Sequence, residues 1–208
     1  LWGWLLSLAF GFGEVTAADE PLIRIADVKA MGNEGANEGR PVRLEGVVTA
    51  YKPYFLVIQD LSGAIYVDPG DLPMDLKVGH WIRIEGKTAP GGFAPIVIQP
   101  KVTLLGNGQL PQPRIIAWDH LLTGNEDNYW VEVRGIVKGV GVEPGSLTLD
   151  LDGMEGRFAV VCSVSTNQSP PDSLLDAEVR VHGVYQVAYN AGAQLTGFQL
   201  HSPEIGRA

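Results

Sequence analysis

The sequence is poor in cysteine, in basic residues and in aromatic rings. Its 208 residues include one cysteine, Cys162, so no disulfide can form within the chain. The apolar run around Cys162 predicts a buried thiol, because reactive thiols lie in exposed, electropositive surroundings. Fifteen Lys and Arg against 24 Asp and Glu give a net charge of −9, and a negative field repels a phosphate backbone. The composition therefore predicts that nucleic acid is an unlikely partner.

Motifs for catalysis are also missing. No HExxH motif and no GxSxG motif occurs, and no glycine-rich phosphate loop follows a strand. The histidines are too far apart along the chain to form a local zinc site. We therefore expect a non-enzymatic protein with no cofactor and no metal. The residues weighed for these roles are His80, His120, His182, His201, Ser62, Ser146 and Ser163.

Two acidic loops offer oxygen atoms that calcium could accept. Neither has the twelve-residue spacing and the closing glutamate of a dedicated calcium loop, so we expect ordinary solvated turns at both places. The loops contain Asp68, Asp71 and Asp75 in the first case, and Asp150, Asp152 and Glu155 in the second.

The N-terminal segment is strongly apolar. It is uncharged from Leu1 to Gly13 and reaches the small residues Thr16, Ala17 and Ala18 before the first acidic pair. This pattern resembles the apolar region and cleavage site of a secretory signal peptide, and residues 1–18 are assigned to it. The alternative is a membrane anchor whose upstream part lies outside this sequence. Both predict an extracytoplasmic chain, periplasmic or secreted. We expect the full-length protein to be membrane-tethered, through this segment or through a downstream span.

The rest of the chain repeats itself at an offset of about ninety residues. "ADVKAMGNE" aligns with "WDHLLTGNE", "VRLEGVV" with "VEVRGIV", and "WIRIEG" with "EVRVHG", in the same order. An ordered repeat of this length indicates two copies of one small domain, because solenoid units are typically about 20 to 50 residues long. The predicted organisation is a first domain at 19–105, a linker at 106–113 and a second domain at 114–208.

Each copy predicts a short helix followed by strands. The helices are "IADVKAM" and "AWDHLLT", and five runs with period-2 alternation follow in the first copy: "VRLEGVVTAY", "FLVIQD", "AIYVD", "HWIRIEGK" and "IVIQPKVTLL". Gly46 and Gly135 lie inside the first strand of each copy, where we expect the bulge or the coil that lets a long strand serve both sides of a closed barrel. Five strands in about 80 residues are typical of the OB-fold. The predicted fold is all-β, with two tandem five-stranded OB-like barrels, each preceded by a short helix.

Several of these segments resemble a known family. "RPVRLEGVVTAY", "FLVIQDLSGAIYVDPG" and "QLTGFQLHSPE" look like the extracytoplasmic tandem OB-like region at the N-terminus of bacterial membrane-bound sensor histidine kinases and related signalling proteins. The resemblance implies a sensing or interaction module ahead of a membrane span and a cytoplasmic output domain. "IQDLSGAIYV" also resembles, more weakly, the OB modules attached to secreted nucleases.

Binding is the function class that remains. OB barrels commonly bind ligands on the face of strands two and three and on the flanking loops, where aromatic rings stack. The candidate ligand-binding residues are Tyr51, Tyr54, Tyr66 and Phe93, with Lys52 as the nearby cation. The alternative is that Tyr66 belongs to the core and the other tyrosines cover the barrel rim.

Two functions stay open at this point. The first is a sensor module of a membrane-bound signalling protein that binds a small molecule or another protein. The second is an accessory module of a secreted nuclease or other hydrolase that binds nucleic acid or polysaccharide.

Overall fold

The structure is a computed structural model of the chain. It describes residues 20–70, 75–116, 120, 123–153, 156–163, 174–190, 192 and 194–203. The elements in chain order are α1 Ile25–Ala30, α2 Gly32–Ala36, β1 Pro41–Lys52, β2 Phe55–Gln59, β3 Ala64–Val67, β4 His80–Ala89, β5 Ile96–Asn107, β6 Arg114–Ile115, β7 Trp130–Glu143, β8 Ser146–Gly153, β9 Gly156–Ser163, β10 Glu178–Tyr189 and β11 Leu195–Ser202.

The first five strands form a closed barrel in the order β1-β2-β3-β5-β4. The long strand β1 pairs antiparallel with both β2 and β4, and β3 meets β5 in a parallel pairing that closes the ring. This is the arrangement of an OB-fold. Its interior is filled by aliphatic side chains that alternate with outward-facing residues along each strand. They include Leu44, Ile58, Ile65, Ile82 and Ile84, all at most 1% exposed.

The second sheet repeats this topology. Its order is β10-β11-β9-β8-β7-β6, and an additional pairing of β10 with β7 joins five of its strands into a ring. The parallel pairing is again between the third and fifth strands, here β9 and β11. The two-residue strand β6 adds to β7 from outside the ring. The predicted all-β fold of two tandem OB-like barrels is therefore confirmed, and we call the two rings barrel one and barrel two.

The bulges of the two barrels correspond, but they are not where the glycines predicted them. The register between β1 and β2 shifts at Thr49, and the register between β7 and β8 shifts at Lys138, three residues after Gly46 and Gly135. The prediction that the glycines themselves form the bulges is wrong. A Cβ on Gly46 would lie 3.0 Å from the carbonyl oxygen of Gln59, and one on Gly135 would lie 3.1 Å from that of the equivalent residue of β8. The glycines therefore allow the neighbouring strand to pass close to β1 and β7 at these positions.

The helices of the described residues are short. α1 coincides with the predicted helix "IADVKAM" and buries Ile25 and Val28 against barrel one. The predicted helix "AWDHLLT" of the second copy lies mostly outside the described residues. No helix within the described part of the chain is long and apolar enough to cross a membrane. The predicted domain limits, 19–105 and 114–208 with a linker at 106–113, stay predictions.

Candidate ligand-binding cleft between the two barrels

The outer face of β2 and β3 in barrel one is apolar and is covered by barrel two. Phe55, Val57 and Tyr66 point outward from the barrel, and Val57 is nevertheless fully buried. They share one hydrophobic cluster with Trp130 and Val184, which belong to barrel two. In OB-folds this face commonly holds the ligand. Barrel two therefore occupies part of the surface on which barrel one would bind.

A buried hydrogen bond fixes this contact. The backbone N–H of Trp130 donates to Oε1 of Gln59 over 2.9 Å, and both residues are less than 10% exposed. An unpaired buried N–H would cost about 1–3 kcal/mol, so Gln59 satisfies a donor at the start of β7. The bond ties the end of β2 to the first strand of barrel two.

The loop between β4 and β5 reaches across to barrel two. Phe93, at its tip, packs against the core of barrel two, and a Cβ on Gly124 would lie 2.5 Å from its ring. Gly92 lies directly against the ring of Tyr189. Two hydrogen bonds between the Asn33 side chain and the backbone of Gly91 hold the base of the loop. Helix α2 therefore positions a loop that bridges the barrels.

Between these contacts a cavity of about 370 Å³ remains open. This volume lies within the usual range for small-molecule sites, about 300–1,000 Å³. Barrel one contributes its β1–β2 loop, β2, β3 and the β4–β5 loop, and barrel two contributes the segment before β7 and the end of β10. The lining residues are Tyr54, Phe55, Tyr66, Gly91, Gly92, Phe93, Ala94, Ile96, Asp127, Asn128, Gln186, Val187 and Tyr189.

The tyrosines of barrel one hold each other in place at this cavity. Tyr54 has a positive φ of 63° and is 68% exposed. Its carbonyl oxygen accepts a 2.9 Å hydrogen bond from the Tyr66 hydroxyl. Burial, with smaller contributions from Asp68 and Tyr189, raises the pKa of Tyr66. The hydroxyl therefore stays protonated and able to donate.

Asp127 is the acidic side chain of the lining, and it is 7% exposed. Its Oδ1 accepts from the backbone N–H of Val187 over 3.1 Å, and its Oδ2 accepts from the Asn128 amide over 2.8 Å. Burial raises the pKa of Asp127, while the Val187 N–H and the charge of Lys29 oppose this shift. The carboxyl group is thus fixed in position at the barrel-two wall of the cavity.

A chain of polar side chains runs from barrel one to the cavity wall. The Lys52 ammonium donates to Nδ1 of His201 over 3.2 Å, and His201 Nε2 lies 2.6 Å from Oε1 of Gln186. Because an ammonium only donates, Nδ1 must accept and Nε2 must carry the proton. Burial, followed by the charge of Lys52, lowers the pKa of His201 to about 4. A neutral imidazole therefore orients Gln186.

The structure brings three of the four predicted ligand residues together. Tyr54, Tyr66 and Phe93 line the cavity, whereas Tyr51 packs against the core of barrel one. Their role in binding stays a prediction. The sequence analysis missed the residues of barrel two, of which Asp127 directly follows the repeated "GNE". The repeated "GNE" was the available signal for Asp127, but neither copy of the repeat indicates how the two barrels dock.

The other residues weighed from the sequence are dispersed. Cys162 is buried, as predicted, and burial raises the pKa of its thiol to about 11. Ser62 caps the β2–β3 turn through Asp60 and the backbone of α1. Within the described residues no group of three or more His, Cys, Asp or Glu side chains could hold a metal ion. Asp71 and Glu155 of the acidic loops lie outside the described residues.

No protein-family model matches the chain, and no curated protein matches it in sequence. Solved structures with similar folds include a HINa domain in complex with 20-base-pair double-stranded DNA, at 14% identity and a TM-score of 0.38, covering 79% of this chain and 92% of that one. A murine DNA-binding protein bound to double-stranded DNA shows 13% identity and a TM-score of 0.35, over 77% and 94% of the two chains. Aspartyl tRNA synthetase from Entamoeba histolytica shows 11% identity and a TM-score of 0.33, over 46% and 22%.

These structures correct one expectation. Nucleic acid was expected to be an unlikely partner because of the net charge of −9; that expectation is withdrawn, since solved structures of similar fold include two that hold double-stranded DNA. The physical reason is that net charge sums over the whole surface, whereas a duplex contacts one local patch.

Proposed function

We propose that the chain is a non-enzymatic binding module whose site is the cavity between the barrels. The observation that carries the proposal is that this cavity opens on the β2–β3 face and the flanking loops of barrel one, the surface that OB-folds commonly use. Side chains of both barrels line it, so a ligand there contacts both at once. A small molecule fits the volume of about 370 Å³.

A sensor function follows from the same geometry. A ligand held by both barrels stabilises the arrangement that it contacts, and a population shift between arrangements is the change that an attached output domain would receive. The extracytoplasmic location belongs to this proposal and is supported by the apolar stretch from Leu1 to Gly13 and the small residues after it. Mass spectrometry of the exported chain tests the location: cleavage after Ala18 supports a signal peptide.

Thermal unfolding of the full chain with a compound panel tests the binding site. The panel contains small sugars, nucleosides, organic cations and a double-stranded DNA oligonucleotide. A ligand at 100 times its dissociation constant stabilises the folded state by about 2.7 kcal/mol, which raises the melting temperature. We expect at least one small compound to do so.

A matched pair of variants tests whether the ligand binds in the cavity. Ala94→Trp fills the cavity, and we expect it to abolish the stabilisation. Ala159→Trp puts the same ring on β9, at the barrel-two position equivalent to Tyr66, and should leave the stabilisation intact. Stabilisation that survives Ala94→Trp would reject the cavity as the site. Stabilisation by the oligonucleotide alone would favour an accessory module for nucleic acid.

A further inference from the structure

The cavity combines many aromatic rings with one carboxyl group. Of the thirteen described residues that line it, five are aromatic and one, Asp127, is acidic, and none of the thirteen is lysine, arginine or histidine. Asn128 and Gln186 supply the remaining polar side chains. The faces of aromatic rings are negative and attract cations. The aromatic faces and the carboxyl group among these residues therefore all favour a cation. The rings belong to Tyr54, Phe55, Tyr66, Phe93 and Tyr189.

The carboxyl group of Asp127 has hydrogen bonds but no cation in contact. Its two partners, the Val187 N–H and the Asn128 amide, are neutral. The nearest ammonium, that of Lys29, donates to the backbone carbonyl oxygen of Asp127 over 3.2 Å, and none of the ion pairs found among the described residues includes Asp127. Each carboxylate oxygen can accept a second hydrogen bond. Burial of a charge is costly, and the charge of Lys29 does not cancel that cost at Asp127, so a cation in the cavity would offset more of it.

The neighbouring cations are held outside the cavity. The Lys29 ammonium lies 5.1 Å from the ring centroid of Tyr129, and the Arg114 guanidinium lies 3.5 Å from the same centroid. Arg114 also forms a 2.8 Å ion pair with Glu126. None of these four residues lines the cavity. Lys29 and Arg114 therefore lie against the ring of Tyr129, and neither forms an ion pair with the Asp127 carboxyl among the described residues.

We propose that the cavity binds a small organic cation, an ammonium group with apolar substituents, whose charge lies towards Asp127 and whose substituents lie against the aromatic rings. This inference rests on the proposed function and specifies its ligand class. A desolvated ammonium gains from cation–π contact, and a nearby carboxylate adds to that gain. A neutral ligand of the same shape would add nothing to the compensation that Lys29 gives the Asp127 charge.

The test compares choline with its neutral isostere 3,3-dimethylbutan-1-ol. Both are titrated into the full chain and followed by NMR of the protein amides. We expect choline to bind at least tenfold more tightly than the isostere. Asp127→Asn should weaken choline binding at least tenfold and leave the isostere unchanged, whereas Asp150→Asn, which removes an exposed acid on β8 outside the lining, should change neither.

A second variant keeps the test valid if Asp127→Asn does not fold. Tyr189 is 47% exposed, and Tyr189→Leu should weaken choline binding severalfold while the isostere loses less. Equal affinity for choline and the isostere, with both lost in Ala94→Trp, would overturn the cation class and keep the cavity as a binding site. Choline binding that survives Ala94→Trp would show that choline does not bind in the cavity. Absence of choline binding would overturn the inference, whatever other compounds bind.

Discussion

The two barrels share one topology and differ on one face. The strand pairings place Thr148, Asp150 and Ala159 of barrel two where barrel one has Phe55, Val57 and Tyr66. In barrel one this face is apolar and packs against barrel two, and in barrel two Asp150 is exposed and Thr148 and Ala159 are half-buried. The duplicated fold thus kept its interior and changed the outside of two strands. As a result, barrel two packs against the β2–β3 face of barrel one.

The largest effect is expected at the contact between the barrels. Trp130 is 5% exposed and packs in the shared cluster. Trp130→Ala should lower the free energy of unfolding by about 3–5 kcal/mol, because it removes a large buried ring. Chemical denaturation measures this. Thr148→Ala on the equivalent face of barrel two should change it by less than about 0.5 kcal/mol, and equal effects would remove the distinction between the faces.

The central glycines of β1 and β7 test how alike the barrels are inside. A Cβ at Gly46 or Gly135 meets a backbone carbonyl of the next strand at 3.0–3.1 Å. Gly46→Val and Gly135→Val should each destabilise the protein by about 1–3 kcal/mol, since the neighbouring strand must shift. The denaturation midpoints of the two variants give the comparison. An unchanged midpoint in either would show that its strand tolerates a side chain there.

The bond between Gln59 and Trp130 tests the polar part of the contact. Gln59→Met keeps the side-chain length and leaves the buried N–H of Trp130 without its acceptor, which should cost about 1–2 kcal/mol. The equivalent residue of barrel two is Asp152, which is half-buried and pairs with Arg157 at 3.9 Å. Asp152→Asn should cost less than about 0.5 kcal/mol. A Gln59→Met variant as stable as the wild type would mean that water or another group replaces the acceptor.

The smallest effect concerns pH. The pKa of His201 is lowered from 6.5 to about 4, so between these values the unfolded chain binds a proton that the folded chain does not. Stability should therefore be complete above pH 6.5 and fall as the pH drops towards 4, by about 1–2 kcal/mol after allowance for solvent screening. Urea denaturation at several pH values measures the slope. His201→Asn should flatten it, and an unchanged slope would assign the titration to another group.

The fold could be predicted from the sequence because the signals for it are local. Alternating apolar residues mark each strand, and the repeated "GNE" and central glycines mark the two copies. Strand alternation also predicted that Cys162 points inward. The bulge positions were missed because a register shift depends on the partner strand, so Thr49 and Lys138 look ordinary in the sequence.

The candidate site could be predicted only from one side. Tyr54, Tyr66 and Phe93 follow from the usual OB face, whereas Asp127 and Tyr189 enter the site because the barrels dock. Docking depends on the shapes of two assembled surfaces. No period or motif within either copy indicates how the barrels dock. Tyr51 was expected at the ligand face, but its ring packs on the barrel-one core.

Amide NMR of the full chain, titrated with the compound that most raises its melting temperature, tests whether the two barrels share one binding site. If they do, shifts appear together at Tyr54 and Phe93 of barrel one and at Val187 and Tyr189 of barrel two, while the signals of Thr148, Asp150 and Ala159 stay in place. Shifts confined to one barrel, or centred on β8 and β9, would contradict a binding site shared between the barrels.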